Sequence, residues 1–281
     1  MLQNKLFSVQ ELRTAQENTQ CVIVDCRFVL GDPEAGYEDY LESHIHGAVY
    51  AHLDDDLASP VTHNSGRHPL PLAEKFASFL SRSGWQPGYV LVVYDDVGGA
   101  IATRLWWLMR YFGHDCAALL DGGISAWREA GYKLDSGPAS ITSVPTANFR
   151  VCDDLVMSTS EIIEGLDSNA IALVDARAAE RFTGDIEPID AVAGHIPGAV
   201  NYPFNRNLVS NGMFKSVEKI RSGMLELTRS HQAQDLVHMC GSGVTACHNI
   251  FAAELAGLPV SRLYVGSWSE WIQDPSRPVE P

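Results

Sequence analysis

The residues best equipped to do chemistry stand in one short run, Cys240-Gly241-Ser242-Gly243-Val244-Thr245-Ala246. A thiolate is the strongest ordinary nucleophile a side chain can offer near neutral pH, provided its charge is stabilised. The run follows an apolar tetrad, Leu236-Val237-His238-Met239, which reads as a buried strand, and precedes a helical stretch from Cys247 to Ala256. The thiol is thereby expected at the C-terminal edge of a parallel sheet and at a helix N-terminus, where open α/β sheets bind ligands. Gly241 and Gly243 let the backbone turn its N–H groups inward, and those groups with the positive helix end favour an anion on Cys240. Gly241, Gly243, Val244 and Thr245 are the expected substrate-binding frame. The other cysteines read differently: Cys21 and Cys26 lie in or beside a strand and Cys247 on the helix, where a thiol is ordinarily inert. No Cys-x-x-Cys pair and no His/Cys cluster has zinc spacing, so no metal is expected, and a chain of 281 residues does not need disulfide staples.

The elements that must position Cys240 recur. Apolar runs at Cys21–Asp25, Val90–Tyr94, 171–175 and Leu236–Met239 alternate with helical patterns such as Ala102 to Phe112, which predicts an α/β fold with mainly parallel sheets flanked by helices. Val24-Asp25-Cys26-Arg27 returns as Val174-Asp175-Ala176-Arg177, His44-Ile45-His46-Gly47-Ala48 as His195-Ile196-Pro197-Gly198-Ala199, and Gly123-Ile124-Ser125-Ala126-Trp127 as Ser267-Trp268-Ser269-Glu270-Trp271. Two tandem domains are expected, 1–137 and 150–281, joined by a Ser/Thr/Pro/Gly-rich linker at 138–149. Residues in both copies serve the fold, so Asp25/Arg27 and Asp175/Arg177 read as structural ion pairs. Residues in one copy are candidates for chemistry. Asp95 stands at the position of Cys240, and Asp96-Val97-Gly98-Gly99-Ala100 differs enough from the second loop that its N–H cradle is expected to be incomplete; the first domain is read as non-catalytic.

Bulk properties narrow the partners. A net charge of −15 repels phosphate backbones and anionic lipid, which argues against nucleic acid and membrane. No apolar run is long enough to span a bilayer, and polar residues break the N-terminal stretch where a signal sequence would lie, so the expected location is cytoplasmic.

With these residues in hand, the chain resembles the tandem rhodanese family over nearly its whole length, and Cys-Gly-Ser-Gly-Val-Thr-Ala is the loop form of 3-mercaptopyruvate sulfurtransferases. The resemblance implies that Cys240 takes a sulfur from a small anionic donor as a persulfide and yields it to a thiol, cyanide or protein acceptor, without metal or organic cofactor. It implies a chain of Ser242 with His68, from Gly66-Arg67-His68-Pro69-Leu70-Pro71, and Asp54, with Asp55 and His63 as alternatives for the partner. Arg181 matches the family's substrate-binding arginine. One departure stands out: a second arginine nine residues on is replaced by Asp190, leaving carboxylate binding either weaker or shared with another cation such as Arg67. The neutral Gly241 and Ser242 favour mercaptopyruvate over dianionic thiosulfate, which is the alternative donor. Two other readings fare worse. A phosphatase needs an arginine six residues after the cysteine, where Ala246 stands, and a non-enzymatic binding module would have lost its cysteine.

Overall fold

In the computed structural model, which describes residues 4–17, 20–227 and 231–281, the chain forms two compact units. The first contains strands β1 (Leu6–Phe7), β2 (Cys21–Asp25), β3 (His44–Ile45), β4 (Val49–Tyr50), β5 (Val90–Tyr94), β6 (Ala117–Leu120) and β7 (Leu134–Asp135). The second contains β8 (Val156–Met157), β9 (Ala172–Asp175), β10 (Val200–Asn201), β11 (Leu236–Met239) and β12 (Arg262–Tyr264). Each unit is built on a five-stranded sheet whose neighbours all run parallel, ordered β1-β6-β5-β2-β4 in the first and β8-β12-β11-β9-β10 in the second. Strand for strand the two orders are the same, so the sequence repeat is a repeat of topology. β3 and β7 add a small antiparallel pair to the first unit.

The near-continuous apolar composition of β5 and β11 follows from their central place, covered on both faces. Local devices repeat at an offset of 150 positions, or 151 at the His-Ile segment. Ser8 and Ser158 each cap a helix, Val9–Gln16 and Thr159–Asp167, in a capping box with Glu11 and Glu161. Asp25 and Asp175 each take the guanidinium fork of the arginine two residues on, and that arginine's Nη2 donates to a backbone carbonyl just ahead of the His-Ile segment, Ser43 at 2.7 Å or Gly194 at 2.8 Å. Both pairs are buried, as structural ion pairs of this kind are; Arg177 Nη1 alone makes no hydrogen bond and lies 3.5 Å from the Glu187 carboxylate. Each unit has its own core: Leu12, Ile23, Val92, Tyr94, Ile124 and Trp127 in the first, Ile162, Leu173, Val237, Met239, Trp268 and Trp271 in the second.

The units are not contiguous in sequence. Pro60–Pro69 belongs to the second unit and Ser210–Phe214 to the first. The exchange has a physical cause in hydrogen bonds and close approach: Phe214 N–H donates to Asp121 at 2.9 Å, and Gly66 lies so close to Gly266 that a Cβ there would sit 2.4 Å from its carbonyl oxygen. Part of the expected linker is also tied down, since Val144 N–H donates to Ser81 O at 3.0 Å and Ala139 N–H to the Tyr40 hydroxyl at 3.1 Å. Among the described residues no helix is long and apolar enough to cross a membrane.

Candidate functional site

β11 delivers Cys240 to the C-terminal edge of the second sheet, and the helix Ala246–Leu255 starts directly after the loop. The loop is held at its first residue. Cys240 N–H donates to Ser267 Oγ at 3.1 Å, while its carbonyl accepts Trp268 N–H at 3.0 Å and the Gly241 carbonyl accepts Ser269 N–H at 2.9 Å. Gly243 carries the left-handed φ of +76° that the turn requires, and a Cβ there would lie 2.6 Å from the Val265 carbonyl oxygen, so only glycine fits. That turn aims Gly243 N–H at Cys240 Sγ, 3.1 Å away. The N–H groups of Gly241, Ser242, Val244 and Thr245 meet no acceptor among the described residues. Buried N–H groups are nearly always paired, so several open donors around one thiol make a cradle for a bound anion.

Three of the other thiols are raised by burial. All six cysteines are free. Burial pushes Cys21 and Cys116 up to about 11 and Cys26 well above the ordinary thiol range, the last with Asp25, Asp95 and Asp56 adding to the effect. None of these three is a nucleophile near neutral pH.

His68 and Ser242 meet. The ring Nδ1 and the hydroxyl are 2.7 Å apart and both side chains are buried, so a segment 174 positions upstream in sequence reaches the residue two after the thiol. The segment is anchored by Arg67 N–H, which donates to Ser269 Oγ at 2.9 Å. Asp54 lies on the short helix Leu53–Asp56 in the first unit, whereas His68 and Ser242 are in the second. Its neighbours are engaged or open: Asp56 accepts from His52 N–H and Arg82, Asp55 is largely exposed beside His52, and His63 is exposed.

Arg181, on the helix Ala179–Phe182, is held by Glu187 through Nε and Nη2 and by Asp190 at 2.8 Å; Glu180 and Asp185 take no part. Burial alone would raise the Glu187 carboxyl, but the Arg181 fork and the N–H groups of Asp190 and Ile189 hold it below the usual range, so it is ionised. Asp190 also accepts from Arg67. Both arginines face Gly241: a Cβ at that glycine would lie 3.0 Å from Arg67 Nη2 and 3.6 Å from Arg181 Nη1.

Two contributors escaped the sequence reading. Ser267 was visible only as the repeat partner of Gly123, and a serine where its twin is glycine is the signal that could have marked it. Both take a left-handed φ, +54° and +55°, which is strained for serine. Glu187 lies in a stretch without periodicity and carries no comparable signal. His238, two residues before Cys240, is fully buried with neither ring nitrogen bonded, and burial lowers it to about 3, so it is neutral.

The arrangement offers a thiol in an open N–H cradle, a hydroxyl–imidazole pair beside it and two guanidinium groups over the next residue: what a soft nucleophile acting on a small anion needs. Comparison with known proteins agrees. The Rhodanese-like domain model matches residues 8–130 and again 158–274. A Pseudomonas aeruginosa protein named "Probable 3-mercaptopyruvate sulfurtransferase" is 44% identical over 279 residues, 98% of this chain and 97% of its own. Bovine thiosulfate sulfurtransferase is 36% identical over 244 residues, 84% of this chain and 79% of its own. Among solved structures, the 3-mercaptopyruvate sulfurtransferase from Leishmania major superposes with a TM-score of 0.83 at 32% identity, over 95% of this chain and 74% of its own.

Proposed function

Since this chain belongs to the rhodanese-like family, carries the domain twice and is a sulfurtransferase, we propose that its donor is 3-mercaptopyruvate and that Cys240 carries the sulfur as a persulfide. The observation that carries this reading is the pairing of His68 Nδ1 with Ser242 Oγ at 2.7 Å beside a thiol whose loop contains no cation.

The Cys240 thiolate attacks the sulfur of mercaptopyruvate. A sulfur–sulfur bond forms, and the carbon–sulfur bond breaks with its electron pair passing to carbon as the enolate of pyruvate. The proton that the donor sulfur carried passes through Ser242 and His68 to that carbon, completing pyruvate and leaving the persulfide anion in the open N–H cradle. Asp54 is the aspartate that the resemblance adds to this relay. Arg181 binds the donor carboxylate through a charged hydrogen bond. An acceptor thiolate or cyanide then attacks the outer sulfur, and Cys240 leaves as thiolate.

Thiosulfate is the second reading, supported by the two guanidinium groups at Gly241 and by the bovine relative. Thiocyanate formed from cyanide with each donor separates the two. A kcat/KM higher for mercaptopyruvate is expected; the reverse order would replace the donor and leave the persulfide chemistry standing.

A further inference from the structure

Asp190 creates a place for a cation rather than removing one. We propose that Arg67 is the second anion-binding residue of this site, recruited by Asp190, and that the neutral balance of the cluster selects a monoanionic carboxylate over a dianion. The inference rests on the donor reading above and deepens it.

Asp190 is almost fully buried and divides its two oxygens between two guanidinium groups, Oδ1 to Arg67 Nη1 and Oδ2 to Arg181 Nη2. One carboxylate therefore fixes the spacing of two arginines that are far apart in sequence. Each arginine keeps a nitrogen for something else. Arg67 Nη2 and Arg181 Nη1, the two atoms nearest Gly241, have no hydrogen bond among the described residues, and Arg67 Nε is buried without an acceptor. A buried guanidinium N–H left unpaired, as at Arg67 Nε, costs free energy comparable to a lost charged hydrogen bond; with the two more open Nη groups beside Gly241 it marks a place for an anion at the residue after Cys240.

The rest of the cluster sets how much charge that anion can carry. Arg67, Arg177 and Arg181 are balanced by Asp175, Glu187 and Asp190 in direct ion pairs. These six groups sum to no net charge, so the cluster offers oriented donors with little excess field. A single carboxylate gains two guanidinium contacts. A second negative charge would face Glu187 and Asp190, both of which are buried, without any additional cation. An arginine at position 190 would have brought its charge on its own backbone; here the charge comes from Pro60–Pro69, tied down by Gly66 against Gly266 and by Arg67 N–H on Ser269.

The test uses the full-length protein, with cyanide as acceptor and pyruvate as a non-transferring competitor that keeps the carboxylate and the 2-oxo group. Arg67→Met is expected to raise the KM for mercaptopyruvate and the inhibition constant of pyruvate together, each about tenfold or more, with a much smaller change in kcat. Arg67→Lys, which keeps the charge and loses the fork, should fall between Met and wild type. Asp190→Asn leaves one uncompensated cation and is expected to raise the ratio of thiosulfate to mercaptopyruvate kcat/KM by at least about threefold. Unchanged KM and pyruvate inhibition in both Arg67 variants would overturn the assignment of Arg67, and an unchanged donor ratio in Asp190→Asn would overturn the charge argument. If wild type prefers thiosulfate, the donor reading fails on its own. The Arg67 assignment is then read from thiosulfate KM, which rises if Arg67 binds the anion and stays constant if it does not.

Discussion

Asp95 and Cys240 occupy equivalent places, each directly after the central strand of its sheet, and each carbonyl accepts the N–H of the second residue of a later helix, Ile124 at 3.1 Å and Trp268 at 3.0 Å. What differs is how the loop's own N–H groups are used. In the first unit the Asp95 carboxylate consumes them, accepting Val97 and Gly99 on Oδ1 and Ile101 and Ala102 on Oδ2, all within 2.8–2.9 Å. The expectation of an incomplete cradle there was wrong. The cradle is complete and permanently filled, because a carboxylate is long enough to reach donors that a thiol leaves free. In the second unit the shorter Cys240 takes one N–H and leaves four open. Burial raises the Asp95 carboxyl, although the four N–H groups oppose that rise. The Asp95 carboxylate thus does in the first loop what the anion proposed for Cys240 would do in the second: it accepts the N–H groups of the turn.

The largest expected break of this comparison is Cys240→Ser, which should lower transfer at least a thousandfold (~10³) because an alkoxide cannot form a persulfide. Intact-mass analysis of donor-treated wild type should show one added sulfur, mapped by peptide to residue 240. Sulfur on Cys21, Cys26 or Cys116, whose thiols are held protonated by burial, would contradict the assignment.

Adding Asp95→Cys to that variant asks whether a cradle alone suffices. Residues 28–66 contain no Lys or Arg, so the first loop has no counterpart of Arg181 or Arg67 in that stretch. Transfer should stay below roughly one hundredth of wild type. Recovery beyond that level would mean that the N–H groups outweigh the cations.

Asp95→Asn should destabilise the protein by about 1–3 kcal/mol, since an amide nitrogen would face two of the four N–H donors. Urea unfolding followed by tryptophan fluorescence measures it. An unchanged midpoint would show that the filled cradle contributes nothing to folding.

At neutral pH the smallest effect concerns His238, which stands where the first unit has Val93. Its folded value of about 3 lies below the ordinary 6.5. Between those values the unfolded chain binds a proton that the folded chain refuses, so stability is fully present above about pH 6.5 and falls as pH drops toward 3, by at most about 1.4 kcal/mol per pH unit. His238→Val should flatten that part of the stability–pH curve. The same slope in both proteins would assign the loss to other groups.

Much of this was legible before any coordinates. Two domains, their shared offset, the buried strands, the structural Asp/Arg pairs and the singular Cys240 loop all rest on patterns within a few neighbouring residues, where composition and spacing report directly on strand, turn and helix. The pairing of His68 with Ser242 was reachable only through family resemblance, the role of Ser267 only through the contrast with its repeat twin Gly123, and that of Glu187 not at all.

The sequence by itself determined the local conformations and which copy could hold a nucleophile, because backbone propensity and the chemistry of a cysteine act where the residue stands. Tertiary structure alone decided that Pro60–Pro69 joins the second unit, that Asp190 draws Arg67 beside Arg181, and that four N–H groups of the Cys240 loop remain open. Those outcomes depend on which surfaces meet when segments more than a hundred residues apart pack together, and neither periodicity nor charge count along the chain records that meeting.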